Sequence, residues 1–221
     1  MTSIQREPLS DQAYQQILKG MADGTFAPMQ PLVIRSIAES FGISATPIRE
    51  ALQRLVAERL LVQLPNRSIV VPRMTAERFS QLLPMRVALE GMATVLATPL
   101  FTEADFAKVD ELLDQIAETT QTFDARLYLR LNREFHFYIY ERCGNPELLQ
   151  VIEGLWLKVG PVFTGLFDTD HYREHANDEH LNIMAAIRRH DAAAAREAIA
   201  QDLILAAEAL MPRMLTVQPS T

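Results

Sequence analysis

The sequence contains a single cysteine, Cys143, and no apolar run of the length that crosses a membrane. A lone cysteine cannot form an internal disulfide, which is typical of proteins that fold in a reducing compartment. A transmembrane helix needs about 20 predominantly apolar residues, and the first residues of the chain form no apolar signal segment. These absences predict a cytoplasmic protein with no membrane partner.

The sequence also lacks the short motifs that accompany common catalytic chemistry. It contains no glycine-rich phosphate loop, no nucleophile motif and no HExxH zinc motif. We therefore expect that the protein is not an enzyme.

Positive charge is in deficit overall but is unevenly distributed. The net charge is −7 over 221 residues. Residues 1–73 hold eight Lys/Arg against six Asp/Glu, whereas the remainder holds thirteen against twenty-two. Only the N-terminal part is electrostatically suited to a phosphate backbone, and a local positive patch is sufficient for DNA binding.

The stretch 32–55 predicts two helices joined by a sharp turn, because each half carries apolar residues at helical spacing. Gly42 lies where the chain must turn and can adopt a positive φ, and Ser44 is the predicted N-cap of the second helix. The polar face of that helix carries Arg49, Gln53 and Arg54. This is the helix-turn-helix arrangement, although an ordinary surface helix pair has the same periodicity.

A short β-hairpin is predicted directly after this helix pair. Its strands would be Leu60–Leu64 and Ile69–Pro72, and residues 65–68 would form the turn with Arg67 at its tip. A helix-turn-helix followed by two strands is a winged helix. Residues 1–73 therefore form the predicted DNA-binding domain.

The rest of the chain predicts helices and no strand. We expect a mainly α protein in which residues 74–215 form an antiparallel helical bundle and residues 216–221 form a tail. The boundaries come from capping residues and from Gly and Pro, and Gly160-Pro161 should bend or split one segment. The predicted helices span 76–97, 102–120, 123–143, 146–167, 171–190 and 191–211.

Four polar residues of the bundle are embedded among apolar ones, which is costly unless they find partners. Asn132 and His136 lie four residues apart on one helix face, and His180 and Asp202 lie on two later helices. Together they would form a metal site, or each histidine would instead be singly hydrogen-bonded or exposed. The three other histidines lie near predicted helix ends and are read as solvated: His171, His175 and His190.

The run 43–52, with Leu55 and the wing residues 65–67, resembles the DNA-binding domain of GntR-type transcription regulators. The resemblance covers residues from about 10 to 72. It implies that Arg35, Thr46, Arg49 and Arg67 contact a double-stranded operator, and we add Ser44 and Gln53 from the same surface. Ala45 departs from the pattern where the family usually has a base-reading arginine, and Ser68 departs where the wing usually has glycine.

The second part resembles the FCD effector domain, the helical bundle of the FadR branch of that family. The resemblance rests on Arg86…Glu90, 132–136, Gly144-Asn145, Glu179-His180…Ala186-Ile187…Asp191…Ala195 and Asp202. Many members hold a divalent metal between an Asp and three His, and the effector carboxylate completes the coordination. Here the ligand positions carry Asn132, His136, His180 and Asp202, so two match and two depart. Such a set could hold Zn²⁺, Ni²⁺ or Mn²⁺, or form a metal-free polar pocket.

Arg86 is the predicted anchor for a carboxylate effector, because a guanidinium fork suits a planar anion. The equally weighted alternative is that Arg86 pairs with Glu90 on its own helix. Tyr128 and Arg130 are weaker candidates for the effector pocket.

Together these features predict a homodimeric transcription regulator, specifically a repressor that a small organic acid releases from a palindromic operator. Two alternatives stay open. An activator would share every feature. A metal-dependent small-molecule-binding or hydrolytic helical protein would carry an incidental helix-turn-helix.

Overall fold

The computed structural model describes residues 8–22, 24–122, 124–168 and 177–216. The chain divides into two compact units, Met1–Arg73 and Met74–Thr221. The first unit contains helices α1 (Leu9–Ala22), α2 (Ile34–Phe41) and α3 (Ala45–Ala57) and strands β1 (Val62–Gln63) and β2 (Ile69–Val70).

The turn between α2 and α3 forms as the sequence predicts. Gly42 adopts the left-handed conformation with φ 66°. The N–H groups of Gly42 and Ile43 donate to the carbonyls of Glu39 and Ala38, which closes α2. A Cβ at position 42 would meet no neighbouring atom, so the positive φ alone explains why glycine suits this position.

The wing is shorter than predicted. The residues before Val62 end α3 instead of pairing as a strand, because the N–H groups of Leu60 and Leu61 both donate to the carbonyl of Leu55. On its other edge β2 pairs with the segment before α2, through an isolated bridge between Pro31 and Val70.

Arg54, which the sequence places on the polar face of α3, ties α3 to α1. Its guanidinium lies 3.8 Å above the centre of the Tyr14 ring and pairs with Asp11 and Glu58. The Tyr14 hydroxyl donates to Glu58 at 2.6 Å. Burial, followed by the Glu58 carboxylate, raises the pKa of Tyr14 to about 12. Arg54 is therefore engaged within the protein.

The described residues of the second unit form helices joined by short links and contain no strand, as the sequence predicts. Gly160 ends one helix and begins a 3-10 helix that runs to Asp168, which confirms the predicted break at Gly160-Pro161. Residues 169–176, which include the predicted start of the fifth helix, lie outside the described ranges, as do residues 217–221 of the predicted tail. The helices are α4 (Ala76–Ala97), α5 (Glu103–Thr122), α6 (Ala125–Glu141), α7 (Pro146–Val159), α8 (Asp178–Arg188) and α9 (Ala192–Thr216).

Side chains cap several of these helices, which explains where they begin. Thr75, Asp124 and Asn145 each accept a hydrogen bond from the backbone N–H three residues later. The long helix α9 packs against both α4 and α8. At Gly91 a Cβ would lie 3.0 Å from Cγ of Arg196, so glycine permits the close approach of α4 and α9.

A membrane span is not among these elements. In the part of the chain that the structure describes, no helix is both long enough and apolar enough to cross a bilayer.

Candidate metal centre and nucleic-acid interface

Helix α3 divides into a buried stripe and an exposed polar face. Ile48, Leu52 and Leu55 are fully buried against the rest of the first unit. Thr46, Arg49, Gln53 and Arg54 are exposed at i, i+3, i+7 and i+8. Glu50 and Ala57 are exposed as well. Since Arg54 is paired internally, Thr46, Arg49 and Gln53 are the predicted DNA contacts that face outward on this helix.

The other predicted DNA contacts also lie at the surface. Arg35 is exposed in the first turn of α2, and Arg67 is exposed in the turn of the wing with φ 67°. Ser44 occupies the predicted N-cap position of α3, but its side chain makes no capping hydrogen bond. Within the described ranges, the guanidinium groups of Arg35, Arg49 and Arg67 make no hydrogen bond or ion pair, although the Arg67 carbonyl accepts from the Gln63 side chain at 3.5 Å.

In the second unit, three predicted metal ligands meet. His136 from α6, His180 from α8 and Asp202 from α9 offer ligand atoms that all lie within 4.8 Å of one another. His136 Nε2 is 3.3 Å from one carboxylate oxygen of Asp202, and His180 Nε2 is 3.6 Å from the other. The three residues are 1%, 0% and 9% exposed, respectively.

The hydrogen bonds of His180 leave one ring nitrogen free. Its Nδ1 lies 3.3 Å from the side-chain oxygen of Asn177, which can only accept, so Nδ1 carries the ring proton. Its buried Nε2 has no hydrogen-bond partner among the described residues. Burial lowers the pKa of His180 to about 4, so at neutral pH the ring is uncharged and the Nε2 lone pair points towards Asp202.

Asp202 supplies negative charge at the same point. Burial raises the pKa of Asp202, but its surroundings, His136 first among them, lower that pKa on balance, so the carboxylate is ionised at neutral pH. An unpartnered imidazole lone pair and a carboxylate therefore converge in a buried space. The Nε2 of His180 and the Asp202 carboxylate are both acceptors, and a bound cation would satisfy both, so the residues present fit a divalent metal.

The fourth predicted ligand, Asn132, is 7% exposed and lies one helical turn before His136 on α6. An amide oxygen at this position is a weaker ligand than the carboxylate usual in the resembled family. Its participation stays a prediction.

Arg86 does not stand free. It is 2% exposed, and its Nε and terminal nitrogen donate to the two oxygens of the fully buried Glu90 carboxylate at 2.7 and 3.3 Å. Glu90 also accepts from Tyr140 at 2.7 Å and from Trp156 at 3.0 Å. The pairing that the sequence left as an alternative therefore forms, and it occupies the guanidinium fork.

The remaining candidates separate by exposure. Tyr128 is fully buried on α6, whereas Arg130 is exposed two residues later. His190 is exposed, and His171 and His175 lie outside the described residues.

Sequence reasoning missed two residues that border the centre. Tyr140 lies 3.1 Å from Nδ1 of His136, and the Trp156 and His136 ring centres are 5.4 Å apart. The spacing of four between His136 and Tyr140 could have indicated the first contact. No local signal indicates Trp156, which arrives from a different helix.

Comparison with known proteins gives two family matches that divide the chain. Residues 9–71 match the model described as bacterial regulatory proteins, gntR family, and residues 81–204 match the FCD domain. The HTH-type transcriptional regulator McbR of Escherichia coli K12 is 33% identical over 181 residues, which cover 80% of this chain and 81% of that protein. The HTH-type transcriptional repressor GlaR of the same organism is 24% identical over 210 residues, covering 86% of this chain and 90% of GlaR.

Solved structures give the same picture. The structure of E. coli McbR/YncC superposes with a TM-score of 0.87 at 28% identity and covers 94% of this chain and 99% of that one. A GntR transcriptional regulator from Rhodococcus sp. RHA1 has a TM-score of 0.72 at 22% identity, covering 95% and 98% of the two chains. At that lower identity the likeness concerns the fold alone.

Proposed function

Because the chain belongs to the gntR family of bacterial transcription regulators and carries an FCD domain, we propose that it is a repressor released by a small organic acid. We assign operator binding to residues 1–73, and effector binding and dimerisation to residues 74–215. The observation that carries the proposal is the buried, donor-poor centre of His136, His180 and Asp202, which is suited to a metal and a ligand. A cytoplasmic location follows from a DNA target.

His136, His180 and Asp202 would hold a divalent metal, and Asn132 would add an amide oxygen. Two imidazoles and a carboxylate suit Zn²⁺, Ni²⁺ or Mn²⁺. When bound, the metal would supply the positive charge that attracts the carboxylate of an effector. The protein residues fix where that carboxylate lies.

In this proposal Arg86 is not the anchor for the effector carboxylate that the sequence predicts. Its fork already serves Glu90, so a carboxylate effector would have to displace that buried partner. We therefore assign the effector carboxylate to the metal and leave Arg86 as the counter-ion of Glu90. Tyr128 is a candidate wall of the pocket, and the exposed Arg130 is not.

We assign dimerisation to the outer face of α4. Arg86 and Glu90 are the only charged residues between positions 79 and 102, and both are buried. The exposed side instead carries Met85, Met92 and Leu96, which are 49%, 48% and 38% exposed at helical spacing. A second copy of this chain is the expected occupant, because a palindromic operator requires two recognition helices related by a two-fold axis.

We expect Met85→Glu to weaken the dimer. An unpaired carboxylate in the interface must be desolvated, which should raise the dimer dissociation constant by about tenfold or more. Val151→Glu is the matched control, since Val151 is 50% exposed on α7, outside this face. Sedimentation of both variants tests the assignment, and equal dissociation constants for the two would contradict it.

Arg49→Ala tests the DNA interface. The wild-type protein first selects a duplex from a random library. The variant should bind that duplex about 1–3 kcal/mol more weakly than the wild type, the usual contribution of a base-contacting arginine. Lys19→Ala removes the same charge from an exposed position on α1 and is the matched control. Fluorescence anisotropy at several salt concentrations gives both affinities.

In vitro transcription from a template with the selected site then tests the sign of control. Repression predicts less transcript with the protein than without it, whereas more transcript would identify an activator.

In the affinity measurements, equal losses in Arg49→Ala and Lys19→Ala would show that Arg49 is not part of the DNA interface.

A further inference from the structure

A buried chain of hydrogen bonds reaches His136 from the side opposite Asp202. Nδ1 of His136 lies 3.1 Å from the Tyr140 hydroxyl, which lies 2.7 Å from an oxygen of Glu90. Tyr140 and Glu90 are both fully buried. His136 and Tyr140 lie on α6, while Glu90 comes from α4, so the chain joins two helices.

The direction of these hydrogen bonds is fixed at the Glu90 end. Glu90 pairs with the Arg86 guanidinium and also accepts from Trp156, so its carboxylate has no proton to donate. Tyr140 must therefore donate its single proton to Glu90. The Tyr140 oxygen can then only accept from His136, and the ring proton of His136 is held on Nδ1.

His136 has a competing partner for that proton. If the proton moved to Nε2, that nitrogen would face the Asp202 carboxylate at 3.3 Å and donate to it. The hydrogen bonds of Tyr140 and Glu90 therefore favour one of two tautomers of the His136 ring. In one form Nε2 offers a lone pair to the centre, and in the other it is protonated and cannot bind a metal.

We propose that Tyr140 and Glu90 are positioning residues that hold the ring proton of His136 on Nδ1 and so keep Nε2 free to ligate a divalent metal. The effect of these two residues on metal binding rests on the metal site proposed above. The choice of ring form is a property of the metal-free protein and is tested separately.

The first test is ¹⁵N NMR of the histidine rings in metal-free protein at pH 8.5. The chain has five histidines, and the His136 signals are assigned by their loss in His136→Gln. We expect the wild-type ring to be neutral with its proton on Nδ1, and the ring of Tyr140→Phe to move its proton to Nε2. A wild-type ring protonated on Nε2 or on both nitrogens would overturn the proposal, as would an unchanged ring in Tyr140→Phe.

The second test is Zn²⁺ affinity, measured against a chromophoric chelator and by fluorescence of Trp156, the only tryptophan. Loss of such a partner to a metal-binding histidine typically lowers affinity about 10–100-fold, and we expect this for Tyr140→Phe. Tyr138→Phe is the matched control, because the Tyr138 hydroxyl donates to Asp105 on α5. Equal Zn²⁺ affinities in the two variants would overturn the proposed effect on metal binding.

The two tests separate the possible failures. One outcome is that the wild-type protein binds no Zn²⁺ while its His136 proton lies on Nδ1 and moves to Nε2 in Tyr140→Phe. In that case the metal site is wrong and the positioning role stands. If Zn²⁺ binds and the ring form ignores Tyr140, the metal site stands and the positioning role is wrong.

Discussion

Arg86→Met should destabilise the second unit by about 3–5 kcal/mol, the usual cost of removing one partner from a buried ion pair. The substitution leaves the Glu90 carboxylate fully buried and opposed by neutral donors only, the Tyr140 hydroxyl and the Trp156 N–H. Packing is also lost, because the Arg86 guanidinium lies 4.8 Å above the Trp156 ring. Urea unfolding followed by Trp156 fluorescence measures the effect.

Two controls identify the cause. Arg130→Met makes the same chemical change at an exposed position two residues from Tyr128 and should alter stability by less than about 0.5 kcal/mol. Arg86→Met combined with Glu90→Leu removes both charges and should regain much of the lost stability. If Arg86→Met unfolds at the wild-type urea concentration, Arg86 is not the counter-ion of Glu90 and its role in effector binding reopens.

Zn²⁺ should raise the free energy of unfolding by about 2.7 kcal/mol when its free concentration is 100 times the dissociation constant. The reason is that the unfolded chain cannot bring His136, His180 and Asp202 together, so the metal binds the folded state preferentially. The measurement is urea unfolding with Zn²⁺ and with a chelator.

His180→Ala should abolish this stabilisation, while His190→Ala, at an exposed position, should retain it. Only the difference between the Zn²⁺ and chelator curves of each variant is compared. That comparison removes the cost of deleting a buried ring. A full Zn²⁺ effect in His180→Ala would place the metal elsewhere.

Local sequence patterns were sufficient to predict most of the fold. Gly42 marks the turn of the helix-turn-helix because few residues other than glycine adopt a positive φ readily. Gly160-Pro161 marks the end of α7 because proline removes a backbone hydrogen-bond donor. The strands were predicted too long because pairing of the segment around Leu60 competes with closure of α3. The outcome depends on the hydrogen bonds from the Leu60 and Leu61 N–H groups to the Leu55 carbonyl. The strand propensities of the residues do not describe such bonds.

The candidate centre was predictable to the extent that its residues lie on helix faces embedded in apolar sequence. His136, His180 and Asp202 were all recognisable in this way, and the family resemblance added that their positions are those of metal ligands. The partners of these residues were not predictable, because they depend on tertiary packing. Trp156 and Glu90 are 66 positions apart, and no sequence period relates them.

The choice at Arg86 illustrates the same limit. Spacing of four predicts an Arg86–Glu90 pair, and the fit of a guanidinium fork to a planar carboxylate predicts an effector contact with equal weight. Only burial decides between them, since both side chains are almost completely enclosed. Exposure depends on which helices cover α4, which the local sequence does not encode.

The metal site is tested most directly by the metal content of untagged protein purified without chelator, measured beside His136→Ala and His190→Ala. We expect close to one divalent metal per chain in the wild type and in His190→Ala, and none in His136→Ala. An absence of metal in all three, even after loading with Zn²⁺, Ni²⁺ and Mn²⁺, would contradict this expectation. The centre of His136, His180 and Asp202 would then be a hydrogen-bonding pocket for an effector that needs no metal.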